Sequence, residues 1–189
     1  MSQIIDLTTI LPRLQRTAKD IRPVVMMTCG SGKSTLTKEI ISRLPNFTRL
    51  AADKTVHEKH GLYAIDYPAE RYEEYLDEAQ DIIRGELARL LQQKDKDVVL
   101  DLSFWNREYR NEYKEIIERN GGRWVLVFLD AERELLWERI TKRRSQRDAL
   151  DAVHRDGDSA FDIDEKTFTM YWEGFERPEG EGECVIKIL

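Results

Sequence analysis

The stretch Pro23-Val24-Val25-Met26-Met27-Thr28-Cys29-Gly30-Ser31-Gly32-Lys33-Ser34-Thr35 constrains this chain more than any other. A short apolar run feeds a glycine-rich turn, and Gly-Lys-Ser-Thr then opens a segment of helical character up to residue 44. That order of strand, loop and helix is what a phosphate-binding loop requires. Gly30 and Gly32 let the backbone curl until several N–H groups point at one anion. The helix opening near Lys33 adds its positive end. Lys33 is placed to reach the β- and γ-phosphates of a nucleoside triphosphate, and the Ser34 hydroxyl to take one Mg²⁺ position. Gly30, Ser31, Gly32, Lys33, Ser34 and Thr35 are therefore the expected ATP-binding set. A glycine turn that merely enters a helix would not need strand, lysine and hydroxyl in this order.

The spacing departs from the usual G-x-x-x-x-G-K-[ST] at one point, since Met27 stands where the first glycine belongs. Either Met27 replaces that glycine, or Gly30 is the first glycine and the loop is short. Both readings keep the Gly-Lys-Ser-Thr core and reshape the phosphate cradle. A crowded cradle would be relieved by Met27→Gly or by a longer loop, raising affinity or turnover. If neither helps, Met27 is strand packing.

A chain of 189 residues, 41% hydrophobic and 35% charged, is sized for one globular domain with a sizeable core. No run is long enough to span a membrane, and residues 1–18 lack the apolar core and cleavage site of a signal peptide. A net charge of -6 argues against a broad basic surface for duplex nucleic acid, while leaving room for a local basic groove. Two cysteines, Cys29 and Cys184, suggest no disulfide framework. These features fit a cytoplasmic protein with no membrane partner.

Residues 1–22 read as an N-terminal helical extension outside the main sheet, with the principal domain over 23–189. Strands are expected over 23–28, 47–52, 97–102, 124–129 and 184–189, and helices over 34–44, 68–93, 106–120, 132–145 and 164–176. Strands alternating with helices imply a mainly parallel five-stranded α/β sheet covered on both faces. Ligands of such a sheet bind at the carboxyl ends of its strands. The glycine loop, Asp53, Asp101 and Asp130 fall at such ends. Asp53, beside the loop, can deprotonate or orient a substrate hydroxyl. Asp101 can hold Mg²⁺ directly or through water. Each aspartate could alternatively cap the helix that follows its strand.

Arg139, Lys142, Arg143, Arg144 and Arg147 form a basic cluster, and one arginine closing on a γ-phosphate would stabilise its charge. The polar segment after it reads as a lid at about 142–165. The competing reading is a solvated helix face paired with Glu132, Glu134 and Glu138. His57 and His60 have no third ligand at a supporting spacing. Tyr63, Tyr67, Tyr72, Tyr75 and Phe104-Trp105 could wall an acceptor pocket or simply pack.

The glycine loop, Asp53, Asp101, the arginine-rich stretch 138–144 and Asp156-Gly157-Asp158-Ser159-Ala160 together resemble the zeta-toxin and polynucleotide-kinase-like P-loop kinases. The resemblance runs from about residue 23 to the end. It implies a P-loop NTPase three-layer sandwich with a helical lid, and an ATP- and Mg²⁺-dependent kinase of a hydroxyl acceptor. Lys33, Asp53 and Arg143 would be catalytic, and Ser34 and Asp101 would hold the metal. The acceptor would be a small molecule, nucleotide or nucleotide sugar; a polynucleotide 5′-hydroxyl is less favoured. The alternative is a nucleotide-binding switch that transfers phosphate only to water.

Overall fold

The structure, a computed structural model, describes residues 7–16, 21–28, 32–150 and 163–188. Five strands form one sheet: β1 (Arg22–Met27), β2 (Phe47–Ala51), β3 (Asp97–Asp101), β4 (Gly122–Ala131) and β5 (Cys184–Ile188). Their order is β2-β3-β1-β4-β5, and every pairing is parallel. The helices are α1 (Leu11–Leu14), α2 (Lys33–Arg43), α3 (Ala52–His60), α4 (Tyr72–Gln93), α5 (Arg107–Arg119), α6 (Arg133–Asp148) and α7 (Glu165–Gly174). A 3-10 turn, Ala69–Arg71, leads into α4. This is the expected three-layer, P-loop NTPase-like architecture. No helix among the described residues is long and apolar enough to cross a membrane.

Strand alternation explains why β1 is apolar at nearly every position. Val25 and Met27 face one layer, with Leu36 and Ile40 of α2, Leu136 of α6 and Phe168 of α7. Val24 and Met26 face the other, with Ile83, Leu87 and Leu90 of α4 and Tyr113 and Ile117 of α5. A strand buried on both faces cannot alternate with polar residues. After β1 the chain passes over one face to β2; after β3 it passes over the other face to β4. The carboxyl ends of neighbouring β1 and β3 therefore flank the crevice where such sheets bind ligands.

Met27 is the last residue of β1, fully buried, paired with Val127 and touched at its sulfur by the Thr37 hydroxyl of α2 at 3.8 Å. It is strand packing beneath the phosphate-loop helix, so the expected gain from Met27→Gly gives way to a cavity.

Other elements depart from their expected extents for local reasons. Within the predicted N-terminal helix only Leu11–Leu14 is helical among the described residues, with Pro12 in its first turn, where a missing N–H costs nothing. Leu7, Ile10 and Leu14 are buried in the same core as Val25 and Met27. The helix α3 was not anticipated, because only Ala52 and Val56 of its residues are buried and no apolar stripe marks it. The lid expected at about 142–165 begins within α6, and its stretch 151–162 lies outside the described residues.

The loop after β3 is held by a buried ion network. Arg110, fully buried on α5, donates to the Phe104 carbonyl at 3.0 Å, the Glu176 carbonyl at 2.9 Å and both Glu181 carboxylate oxygens at 3.0 and 2.6 Å. Lys114 adds a bond to Glu181 at 2.8 Å. Burial alone would raise the Glu181 pKa, but the bonds and charges of Arg110 and Lys114 outweigh it and bring it down to about 2. This network secures Phe104, whose φ of 38° is costly for a side chain with a Cβ. The turn just beyond Asp101 is thus fixed from beneath.

Met27→Gly is expected to destabilise the protein by about 2–5 kcal/mol, through the lost buried side chain and the added backbone freedom. Urea unfolding checks this; an unchanged midpoint together with tighter ATP binding would restore the crowded-cradle reading.

Candidate active site

Gly32 precedes α2 with a φ of 121°, a conformation that side chains with a Cβ rarely adopt. Its carbonyl starts the helix by accepting from the Leu36 N–H at 2.8 Å, and no side chain caps the helix N-terminus. Uncapped N–H groups and the helix dipole leave this end suited to an anion. Lys33 and Ser34 are the first two helical residues, and Thr35 follows on the exposed side. Gly30 and Ser31, with Cys29, lie outside the described residues.

Strand register sets Asp101 beside this loop. Met26 pairs with Leu100, so Asp101 stands next to Met27, where β1 turns into the loop. The Asp101 side chain is only 4% exposed, and Arg49 of β2 holds its Oδ2 through Nε at 2.9 Å and Nη2 at 2.7 Å. Sequence reasoning missed Arg49. Its signal was period two: Arg49 pairs with Val99 and Ala51 with Asp101, so Arg49 and Asp101 project from one face of the sheet.

Asp53 lies two residues past the end of β2, in the first turn of α3, where a carboxylate meets the helix's positive end. The Tyr72 hydroxyl donates to its Oδ1 at 2.7 Å. Burial, then the adjacent Asp53 charge, pushes the Tyr72 phenol far above its ordinary value. The Tyr67 phenol is raised in the same order by burial and by Asp53.

Of the basic cluster, Arg143, exposed on α6, lies within electrostatic range of these acids. Crowding around its guanidinium lowers its pKa; the charges of Asp53 and Asp101 oppose that effect and Arg139 adds to it. Arg144 and Arg147 lie beside Asp148, at 4.0 and 2.9 Å. Arg139 stands one turn before Arg143 on α6 and adds like charge beside it.

Of the remaining candidates, Tyr72 reaches the site through its bond to Asp53, and the others make contacts of their own. Asp130 bonds Arg177 at 2.8 Å, three residues beyond the Val127 that pairs with Met27. His60 bonds Glu78 at 2.7 Å and stacks on Tyr75 with ring centroids 3.6 Å apart, so it joins α3 to α4. Tyr63, Tyr67, Tyr72 and Tyr75 pack mostly against one another and Val56, forming a small core under Asp53. Phe104 is fully buried, and Trp105 is half exposed. Among the described residues no three His, Cys, Asp or Glu side chains gather to hold a metal. A hydroxyl and one carboxylate nevertheless fit Mg²⁺, which keeps several waters and takes few protein ligands beside a substrate phosphate.

Arg49→Met should destabilise the fold by about 3–5 kcal/mol, because it leaves the buried Asp101 carboxylate without its counter-charge. Arg49→Met with Asp101→Leu should recover most of that loss. Urea unfolding at neutral pH measures both; a single-variant loss below about 1 kcal/mol would mean that the pair does not anchor β2 to β3.

The sequence profile of the AAA_33 family, an AAA domain, matches residues 25–178. A search of curated proteins finds no match. Solved structures resemble the fold at low identity. A protein of Chloroflexus aurantiacus j-10-fl, described as a candidate kinase, has 15% identity and a TM-score of 0.64, over 89% of this chain and 85% of that one. A gluconokinase from Sinorhizobium meliloti 1021 has 20% identity and a TM-score of 0.54, over 92% and 84%. Kti12 of Chaetomium thermophilum, in complex with ADP-AlF3, has 14% identity and a TM-score of 0.54, over 88% and 87%. These likenesses show a shared P-loop kinase-like fold, and the profile match shows that the chain belongs to the AAA_33 family.

Proposed function

We propose that the protein is an ATP-dependent phosphotransferase that moves the γ-phosphate of ATP to a hydroxyl acceptor, a small molecule or nucleotide. The ordered set of glycine loop, Asp53, Asp101 and arginine-rich helix supports a kinase of the zeta-toxin and polynucleotide-kinase-like kind. The carrying observation is Asp53: a carboxylate at the carboxyl end of β2, held by Tyr72 and within the field of Arg143, at the same end of the sheet as Lys33.

In this reading the backbone N–H groups at the start of α2 and the Lys33 ammonium bind the triphosphate. Asp53 accepts the proton of the acceptor hydroxyl as that oxygen attacks the γ-phosphorus. The bond between the γ-phosphorus and the β–γ bridging oxygen breaks, and ADP leaves. Arg143 balances the negative charge spread over the transferring oxygens. Ser34 and Asp101 would hold Mg²⁺, which supplies further neutralisation of phosphate charge when bound. Arg49, on Asp101 Oδ2, holds that carboxylate in its orientation.

Lys33→Ala should weaken ATP binding by roughly 1.5–3 kcal/mol, the worth of a charge-assisted contact. Asp53→Asn should leave ATP affinity unchanged and lower transfer to a pool of hydroxyl metabolites by a factor of about 10²–10⁴. Calorimetry and radiolabelled-phosphate transfer separate the two. Unchanged ATP affinity in Lys33→Ala removes the phosphate site, and undiminished transfer in Asp53→Asn removes the base.

A further inference from the structure

We propose that Tyr72 is the positioning residue of the site, fixing the Asp53 carboxylate so that one oxygen is occupied by the phenol and the other is presented to the acceptor hydroxyl. This rests on the reading of Asp53 as the base. Nothing in the sequence motif marks Tyr72, because it lies nineteen residues from Asp53 on a different helix.

The contact is built from several directions. Tyr72 is the first residue of α4, placed there by the Ala69–Arg71 turn, and is 9% exposed. Tyr63 meets its ring edge-on, with centroids 5.3 Å apart. The helix bearing Asp53 is clamped to α4 nearly two turns further along, where Lys59 and His60 both pair with Glu78. The His60 ring also lies parallel to Tyr75, within 3°. Neither helix can swing without breaking these contacts, so the hydroxyl and carboxylate meet in one geometry.

At 2.7 Å an O–H donor on a carboxylate is a strong, charge-assisted bond. With its phenol pKa raised, Tyr72 remains a neutral donor throughout the working pH range. Asp53 itself is half-buried: the tyrosine core lies on one side, and solvent reaches the other. A carboxylate on a short side chain that is free to rotate would offer either oxygen in many orientations, and near-attack geometry tolerates little misplacement. The Tyr72 bond removes that rotation.

The test uses Tyr72→Phe, which keeps the ring and its packing. Turnover of Mg·ATP with the hydroxyl-metabolite pool, or with water as acceptor, should fall about tenfold in kcat, while the affinity for the fluorescent analogue mant-ATP stays within twofold. In an Asp53→Asn background the same change should cost nothing further, because Tyr72 acts through Asp53. With ¹³C at the aspartate carboxyl carbons, the resonance lost in Asp53→Asn should shift in Tyr72→Phe. An unmoved resonance, an unchanged kcat, or an equal loss in the Asp53→Asn background overturns the positioning role. Wild-type protein that fails to bind mant-ATP overturns the kinase reading and the role of Tyr72 with it. Normal binding and turnover in an unaffected Tyr72→Phe overturn the role of Tyr72 alone.

Discussion

The parallel pairing of β1 between β3 and β4, buried on both faces, is the constraint on which the rest of this molecule depends. Because Met26 is locked opposite Leu100 and Met27 opposite Val127, the point where the chain leaves the sheet is fixed to the residue. Gly32 then takes a backbone angle open to few other residues and starts α2, whose N-terminus looks across the same sheet edge. Met27 supports this from below: its sulfur touches Thr37, so the helix and the strand that precedes it are packed as one unit. The position usually held by a loop glycine is here part of the core.

Charge is arranged around that edge with the same economy. Asp101 is neutralised in place by Arg49, and Asp53 is held by a neutral phenol, while Arg143 and Arg139 bring positive charge from α6. Buried or half-buried charges of one sign would repel and shift their protonation. The alternation of acid and base offsets like charge at the end of the sheet that carries the phosphate loop. Beneath them, the Arg110–Glu181 network fixes the strained turn at Phe104, so Asp101 is followed by a rigid rather than a yielding segment.

Much of this was legible in the sequence because it depends on local pattern. The apolar runs at 24–27 and 125–129 state a doubly covered parallel sheet, and glycine, lysine and serine in order state a phosphate loop. Asn106 and Asp164 cap their helices as their residue types suggest, accepting from Tyr109 and Thr167. What could not be read depends on contacts between residues far apart in the chain. Helix α3 carries almost no apolar stripe, since only Val56 enters the tyrosine core and only Ala52 the core against the sheet. Arg49 and Asp101 are 52 residues apart, and only the β2–β3 register brings them together. In the sequence Tyr72 is one aromatic among six, and its partner is chosen by how α3 lies on α4. Within the cluster 139–147 the helix phase, not the composition, sets Arg144 and Arg147 beside Asp148.

The most direct measurement is a structure with Mg²⁺ and a non-hydrolysable ATP analogue bound. The account predicts the triphosphate on the N–H groups at the start of α2, Lys33 on the β- and γ-phosphates, and Arg143 on the γ-phosphate. Asp53 would face the γ-phosphorus on the side opposite the leaving oxygen, within reach of an intervening hydroxyl. An analogue bound elsewhere, or a γ-phosphate turned away from Asp53 and shielded from any acceptor, would contradict it.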